Sequence, residues 1–326
     1  MKLDKIGFYT LTEERAKTTS SISPIIRAEL LLTDKCNLKC PYCRGMKNEG
    51  ELPLSYVKKI LNSLYKEKLT NIRFSGGEPT LYPYLKELIK NCKENNVKRI
   101  AISTNGTADL KLYKELIELG VNDFSISLDS GCCSLGEKMT GGIKDSWNKA
   151  VDTIKYVSKY SYTTVGVVFN ELNYKKAIET IRFINNLKVS DIRVIPSAQY
   201  NKALNSLSLL STKIRSLYPI LNYRLNNLTK NINFRGIKKS DCHKCWLVLD
   251  DIAISGQYQY PCIIYLRESG NPISIMDEDF RARRFEWFKK HNSYEDNICK
   301  NQCLDVCLSY NNKVNYYVRK NARNLL

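Results

Sequence analysis

Ile26-Arg-Ala-Glu-Leu-Leu-Leu-Thr33-Asp-Lys-Cys36-Asn-Leu-Lys-Cys40-Pro-Tyr-Cys43 couples a strand to a cysteine loop, and the reading of the chain turns on it. Residues 26–33 are short and largely apolar, as a buried strand requires. Three cysteines then follow at C-x3-C-x2-C spacing on the loop that leaves the strand. Three thiolates so spaced can wrap one face of an iron–sulfur cubane and leave its fourth iron open, whereas four-cysteine sites close the cluster for electron transfer. Structural zinc is the competing reading, and it lacks a fourth Cys or His nearby.

Working outward, strand-like runs recur at Asn71–Ser75, Arg99–Ser103, Asp123–Leu128, Thr163–Phe169 and Asp191–Ile195. Amphipathic stretches separate them at Leu54–Lys66, Pro83–Asn95, Asp109–Leu119, Asp145–Lys159 and Tyr174–Leu187. Strands alternating with helices predict an α/β chain with a parallel sheet. Six such units suit a partial (β/α)6 TIM-like barrel rather than a closed eightfold one. The expected organisation is an N-terminal extension over 1–25, the barrel over 26–200, a helical bridge over 201–240 and a small cysteine-rich domain over 241–326. Chemistry in such barrels gathers at the C-terminal ends of the strands.

Composition narrows the function. Twelve cysteines in a chain with no secretory h-region read as metal or cluster ligands in a cytoplasmic protein, not as disulfides. Two histidines all but exclude imidazole-rich metal sites. No apolar run nears the roughly 18 residues of a membrane span, so no membrane role is expected. The balance of 51 Lys+Arg against 33 Asp+Glu has no long basic block, which favours a dispersed solubilising charge over a nucleic-acid site.

With an aromatic, Tyr42, before its last cysteine, the Cys36–Cys40–Cys43 loop resembles the signature of the radical S-adenosylmethionine (SAM) superfamily. The resemblance runs over roughly residues 26–200 and implies a 4Fe–4S cluster at the barrel. Ser75-Gly76-Gly77-Glu78-Pro79 looks like the superfamily's glycine-rich motif, which holds the methionine amino group. Glycines admit close backbone approach, and Glu78 is an anionic acceptor for an ammonium. By the same resemblance Ser103 and Asn105 face ribose, Ser127 and Asp129 meet ribose or carboxylate, and Asn170 and Ile195 line the adenine and sugar pocket. Each is also an ordinary strand-end residue. One departure is visible: Thr140 precedes Gly141 where many relatives place a cation for the SAM carboxylate, and Lys138 is the nearest. In this family a reduced cluster cleaves SAM to a 5′-deoxyadenosyl radical, which abstracts a hydrogen atom from substrate; the electron comes from an external one-electron reductant.

Cys242-His-Lys-Cys245, then Cys262, flank a hairpin-like run with Gly256 at its turn; Cys299, Cys303 and Cys307 follow at four-residue intervals. The arrangement resembles the SPASM and twitch extensions of radical SAM enzymes. It implies at least one auxiliary 4Fe–4S cluster, held by Cys242, Cys245, Cys262 and one of the last three, with a zinc ribbon as the alternative. On one helix Cys303 and Cys307 would share a face. Cys132-Cys133 follow the fourth strand, and Cys133 is a candidate hydrogen-atom donor against the plainer reading of a small packed or surface thiol. Cys92 reads as packing.

SPASM and twitch relatives often mature peptides, so the expected substrate is a peptide or protein altered by cross-linking, epimerisation or oxidation. With only about 25 residues ahead of the barrel, a separate recognition protein or direct binding is expected. Small-molecule or nucleotide chemistry is the enzymatic alternative. The GTP-cyclising branch ends in Gly-Gly, whereas this sequence reads Arg323-Asn324-Leu325-Leu326. A non-catalytic iron–sulfur or zinc protein that binds nucleic acid is the third reading.

Overall fold

The structure is a computed structural model that describes residues 13–44, 50–196, 202–230 and 232–323. A short helix α1 (Glu13–Thr18) precedes β1 (Arg27–Thr33), and five helix-then-strand units follow. These run α2 (Leu54–Lys66) to β2 (Asn71–Gly76), α3 (Leu85–Glu94) to β3 (Arg99–Thr104), and α4 (Leu110–Leu119) to β4 (Asp123–Ser127). Two helices, α5 (Cys133–Met139) and α6 (Ser146–Val157), lead to β5 (Tyr162–Phe169), and α7 (Ala177–Asn186) leads to β6 (Asp191–Pro196). All six strands pair in parallel, in sequence order, as an open sheet. The α/β partial barrel expected from the alternation is therefore present.

Strand and helix periodicities explain the layering. Ala28, Leu30 and Leu32 of β1, with Ile72, Phe74, Ile100, Ile102, Val165 and Val167, enter one core with the helices. In α2 the buried residues are Val57, Ile60, Leu61 and Leu64, one face at i, i+3, i+4 and i+7. Successive strand residues point to opposite faces, so Glu29, Arg73, Ser75, Ser125 and Arg193 fall on the other, concave side. They bond with one another there: Ser75 Oγ donates to Glu29 at 3.0 Å, and Arg193 Nη2 to Ser125 Oγ at 3.3 Å. The concave face is polar, which fits a lumen that receives a ligand rather than a filled core.

After β6 come α8 (Lys202–Leu207), α9 (Thr212–Leu217) and α10 (Pro219–Thr229). The hairpin β7 (Asp251–Ser255) and β8 (Tyr258–Tyr260) turns at Gly256, whose φ of +56° suits glycine. Then follow α11 (Ile263–Arg267), β9 (Ser274–Ile275), α12 (Phe280–Lys290), α13 (Asn297–Gln302) and α14 (Asp305–Arg323).

The hairpin does not form a sheet of its own. β7 pairs in parallel with the free edge of β1, from Arg27 opposite Asp251 to Leu31 opposite Ser255, giving the order β6-β5-β4-β3-β2-β1-β7-β8-β9. Ile252 and Ile254 join the barrel core. The junction is also ionic: Arg27 pairs with Asp251, and Arg15 Nε donates to Asp250 Oδ2 at 3.0 Å. Arg284 of α12, fully buried, donates to the carbonyls of Val248 at 2.9 Å and Tyr260 at 3.1 Å, and to that of Asp251. A guanidinium in such a place is tolerable only because its donors are satisfied. No helix among the described residues is long and apolar enough to cross a membrane.

Candidate functional site

Two groups of thiols form the site. The first lies on the loop leaving β1, at the strand ends where β2 to β6 also finish. Cys36, Cys40 and Cys43 act on one another electrostatically, so the fold brings them together. Burial raises the Cys36 thiol, and burial with Asp129 lifts Cys40 to about 11. A metal that binds here must displace those protons. Leu38 N donates to Cys36 Sγ at 3.5 Å, and Cys43 N to Cys40 O at 3.0 Å.

The glycine-rich motif is the seat of this loop. Gly77 N donates to Thr33 O at 2.7 Å and Glu78 N to Lys35 O at 2.8 Å. A β-carbon at Gly77 would stand 2.3 Å from Lys35 O, and one at Gly76 would stand 2.2 Å from Thr33 O. The close approach that the two glycines permit is thus to the cysteine loop's own backbone. Thr140 and Gly141 brace the other side: Lys39 N donates to Thr140 O at 3.1 Å, and a β-carbon at Gly141 would meet Lys39 O at 2.4 Å.

Glu78 is buried and points into the protein. Its carboxylate accepts from Thr80 Oγ1 and Thr104 Oγ1, both at 2.7 Å, and from Asn105 N at 2.7 Å. Burial is the chief influence on it and raises its pKa. With these donors Glu78 locks the end of β3 to the end of β2. Pro79, beside it, opens a short 3-10 turn and is buried. Asn105 carries the lock on to the cysteines, donating to Asn37 Oδ1 at 2.8 Å and lying 4.0 Å from Cys36 Sγ. Asp129 acts likewise from β4. It accepts from the Tyr42 hydroxyl and from Val168 N at 2.7 Å, and burial lifts its carboxyl to about 6. Tyr42 is therefore tied to the β4 end, and burial raises its phenol far above the ordinary value.

The remaining strand-end residues divide. Ser103, Ser127 and Ile195 are half-buried or exposed at the ends of β3, β4 and β6. Asn170 is buried and forms a turn, accepting from Leu172 N at 2.9 Å. Cys133 is the first residue of α5, and desolvation, then Glu137, raise its thiol. Cys92 is buried in α3, where it accepts from the Tyr65 hydroxyl at 3.4 Å. Thr80, Thr104 and Asn37 were missed, although the first two adjoin quoted motifs and Asn37 lies inside one.

The second group gathers from three segments. Cys245, Cys262, Cys299, Cys303 and Cys307 lie close enough to act on one another; burial first, and then that mutual repulsion, pushes Cys245 up to about 12 and Cys303 well above the ordinary thiol. Burial raises the Cys242 thiol, which donates to Lys244 O at 3.5 Å. Cys303 and Cys307 do not share a continuous helix, because the chain breaks between α13 and α14, where Leu304 bridges Arg235. Arg284 lies near Cys245 and Cys262, and burial brings it down to about 9. His291 Nε2 is 3.6 Å from Cys299 Sγ, and with Asp296 the three could hold a metal ion. Sulfur-rich donor sets on both sides suit iron–sulfur clusters, with three ligands at the first and a choice of four at the second.

Comparison with known proteins agrees with this geometry. The radical SAM superfamily model matches residues 30–184. A probable GTP 3′,8-cyclase of Methanococcus maripaludis is 29% identical over 187 residues, covering 51% of this chain and 63% of its own length. The tungsten-containing aldehyde ferredoxin oxidoreductase cofactor-modifying protein of Pyrococcus furiosus is 32% identical over 177 residues, 51% of this chain and 49% of its own. The chain thus spans about half to two thirds of these curated relatives. Among solved structures, Streptococcus suis SuiB bound to its precursor peptide SuiA aligns with a TM-score of 0.58 at 17% identity, over 86% of this chain and 68% of SuiB. The anSMEcpe structure with bound AdoMet aligns with a TM-score of 0.59 at 15% identity, over 92% of this chain and 99% of that one. At such identities the likeness is one of fold.

Proposed function

We propose, from the premise that this chain belongs to the radical SAM superfamily, that it cleaves SAM reductively and modifies a peptide or protein by hydrogen-atom abstraction. The observation that carries the reading is the trio Cys36, Cys40 and Cys43 on one loop at the strand ends, with no fourth Cys or His among the described residues that act most on it. When bound, a 4Fe–4S cluster and SAM supply one electron, drawn from an external reductant, and a carbon radical able to take a hydrogen atom from substrate. The three thiolates would hold the cluster. Gly76 and Gly77 seat their loop, while Glu78, Asn105, Asp129 and Tyr42 fix it against the ends of β3 and β4. Ser103, Ser127 and Ile195 keep accessible surface there and are the candidates for direct contact with SAM; Asn170 shapes the turn beside them. The polar concave face would orient substrate against the strand ends.

Likeness of fold to SuiB and anSMEcpe supports a peptide substrate, with a cross-link, epimer or oxidised side chain as product. The relation to GTP 3′,8-cyclases supports a nucleotide as the second reading. Twelve free thiols suit a reducing compartment such as the cytoplasm. The test is anaerobic incubation of the reconstituted, reduced protein with SAM, alone, with a peptide encoded beside its gene, and with GTP. Formation of 5′-deoxyadenosine is expected in each, with a mass change in the peptide. No 5′-deoxyadenosine in any would refute the reading.

We further propose that Cys245, Cys262 and two of Cys299, Cys303 and Cys307 ligate an auxiliary cluster. Cys245→Ala or Cys262→Ala should cost most of about four irons per chain, and Cys242→Ala almost none. Tightly bound zinc in place of that iron would overturn the assignment and make redox-neutral products the better expectation.

A further inference from the structure

Five C-terminal thiols gather where a 4Fe–4S cluster takes four ligands, so one is spare. Cys299 has an imidazole and a carboxylate beside it. His291 Nε2 stands 3.6 Å from Cys299 Sγ, and Asp296 Oδ1 accepts from Cys299 N at 2.8 Å. One donor atom from each of His291, Asp296 and Cys299 lies within 4.8 Å of the other two. Among the described residues no other three such groups come so close, the C-terminal thiols included.

That spacing decides the kind of metal. Ligands of a cubane sit on separate irons and stand apart, whereas ligands of a single ion crowd one coordination sphere. A tetrahedral ion with bonds of about 2.3 Å to sulfur and about 2.0–2.1 Å to nitrogen puts those two atoms about 3.6 Å apart. The separation of His291 from Cys299 matches that edge. The surroundings also fix the donors, as the outer partners of metal ligands do. The Tyr265 hydroxyl donates to Asp296 Oδ2 at 2.8 Å, and Trp287 stacks on the His291 ring with centroids 3.9 Å apart. Lys244 Nζ holds the backbone there, donating to His291 O at 3.1 Å. Tyr265 joins this group to the cluster thiols, since its N donates to Cys262 Sγ at 3.4 Å.

We propose that His291, Asp296 and Cys299 form a mononuclear site for a divalent cation of the zinc class, separate from the auxiliary cluster. A sulfur, nitrogen and oxygen donor set suits zinc and disfavours magnesium or calcium. Three protein ligands leave the fourth position to water or a substrate heteroatom, as in catalytic rather than structural zinc sites. All three residues are half-buried, which gives an ion a way in. The proposal rests on the auxiliary-cluster reading only in leaving Cys245, Cys262, Cys303 and Cys307 to the cluster.

The test is equilibration of the cluster-reconstituted full chain with Zn2+, then gel filtration, zinc and iron analysis, and zinc-edge X-ray absorption. Wild type should retain about one zinc per chain with its iron unchanged, and the absorption should show one sulfur among nitrogen and oxygen neighbours. His291→Ala should lose the zinc and keep the iron. Tyr265→Phe removes only the hydrogen bond to Asp296 and should weaken zinc binding about 10–100-fold. Asp296→Asn still caps α13 and should weaken it at least as much. Four results would each overturn the site: no zinc retained, zinc retained equally by every variant, zinc that replaces iron in wild type, or iron lost from His291→Ala. Iron confined to the first loop in wild type, with zinc still lost in His291→Ala, would support the site and count against the auxiliary cluster alone.

Discussion

Alanine at Cys36, Cys40 and Cys43 together is expected to reduce 5′-deoxyadenosine formation below detection while leaving the C-terminal iron in place. The two thiol groups sit on separate segments, and each draws its burial from its own surroundings. The first loop is held by backbone contacts from Gly77 and Glu78 and by Lys39 on Thr140, none of which involves a cysteine side chain. Removing three thiols should therefore leave the fold intact. Iron analysis should still find about four irons per chain at the second group. Unchanged 5′-deoxyadenosine from the triple variant would sink the radical SAM mechanism here. Loss of all iron instead would mean that the C-terminal thiols cannot hold a cluster alone.

Gly77→Ala is expected to be nearly as damaging to turnover without removing any ligand. The added methyl group would stand 2.3 Å from Lys35 O and 2.6 Å from Asp34 O, and both are backbone atoms that cannot swing aside. Relief requires the cysteine loop to move by about 1 Å, which strains the bonds from Gly77 N and Glu78 N. Overpacking of this kind costs about 1–3 kcal/mol of stability, but a misplacement of that size can cost about 100-fold in rate. Turnover should thus fall far more than the melting temperature. Gly142→Ala is the control: its φ is +80°, yet nothing lies within 4 Å of the new methyl, so only a modest backbone strain is expected. Equal activity in the two variants would show that the glycine seat does not position the loop.

Much of this was legible in the chain because it rests on local patterns. The six strands and the helices between them follow apolar periodicity, and α2 matches the amphipathic stretch residue for residue. Cysteine spacing marked the first loop for the same reason. What escaped depends on contacts distant in sequence. Nothing in Ile252-Ala-Ile-Ser255 says that it will lie beside β1, because a short β-branched run pairs equally well within its own hairpin. The partners of Glu78 escaped too: a carboxylate beside two glycines suggests a ligand contact, while Thr104 and Asn105 claim it only once β3 lies alongside.

The late arrival of β7 has a consequence for biogenesis. Arg27 and its ionic partner Asp251 are 224 residues apart. At ordinary synthesis rates of about 5–20 residues per second, β1 waits about 10–45 s for its second neighbour. During that interval the strand bearing the first cysteine loop is an open edge, able to pair with another nascent chain. Contacts of such range also form slowly once the chain is free. Yield should therefore depend on translation speed and temperature, and iron supplied before β7 docks would meet thiols on an unfinished scaffold.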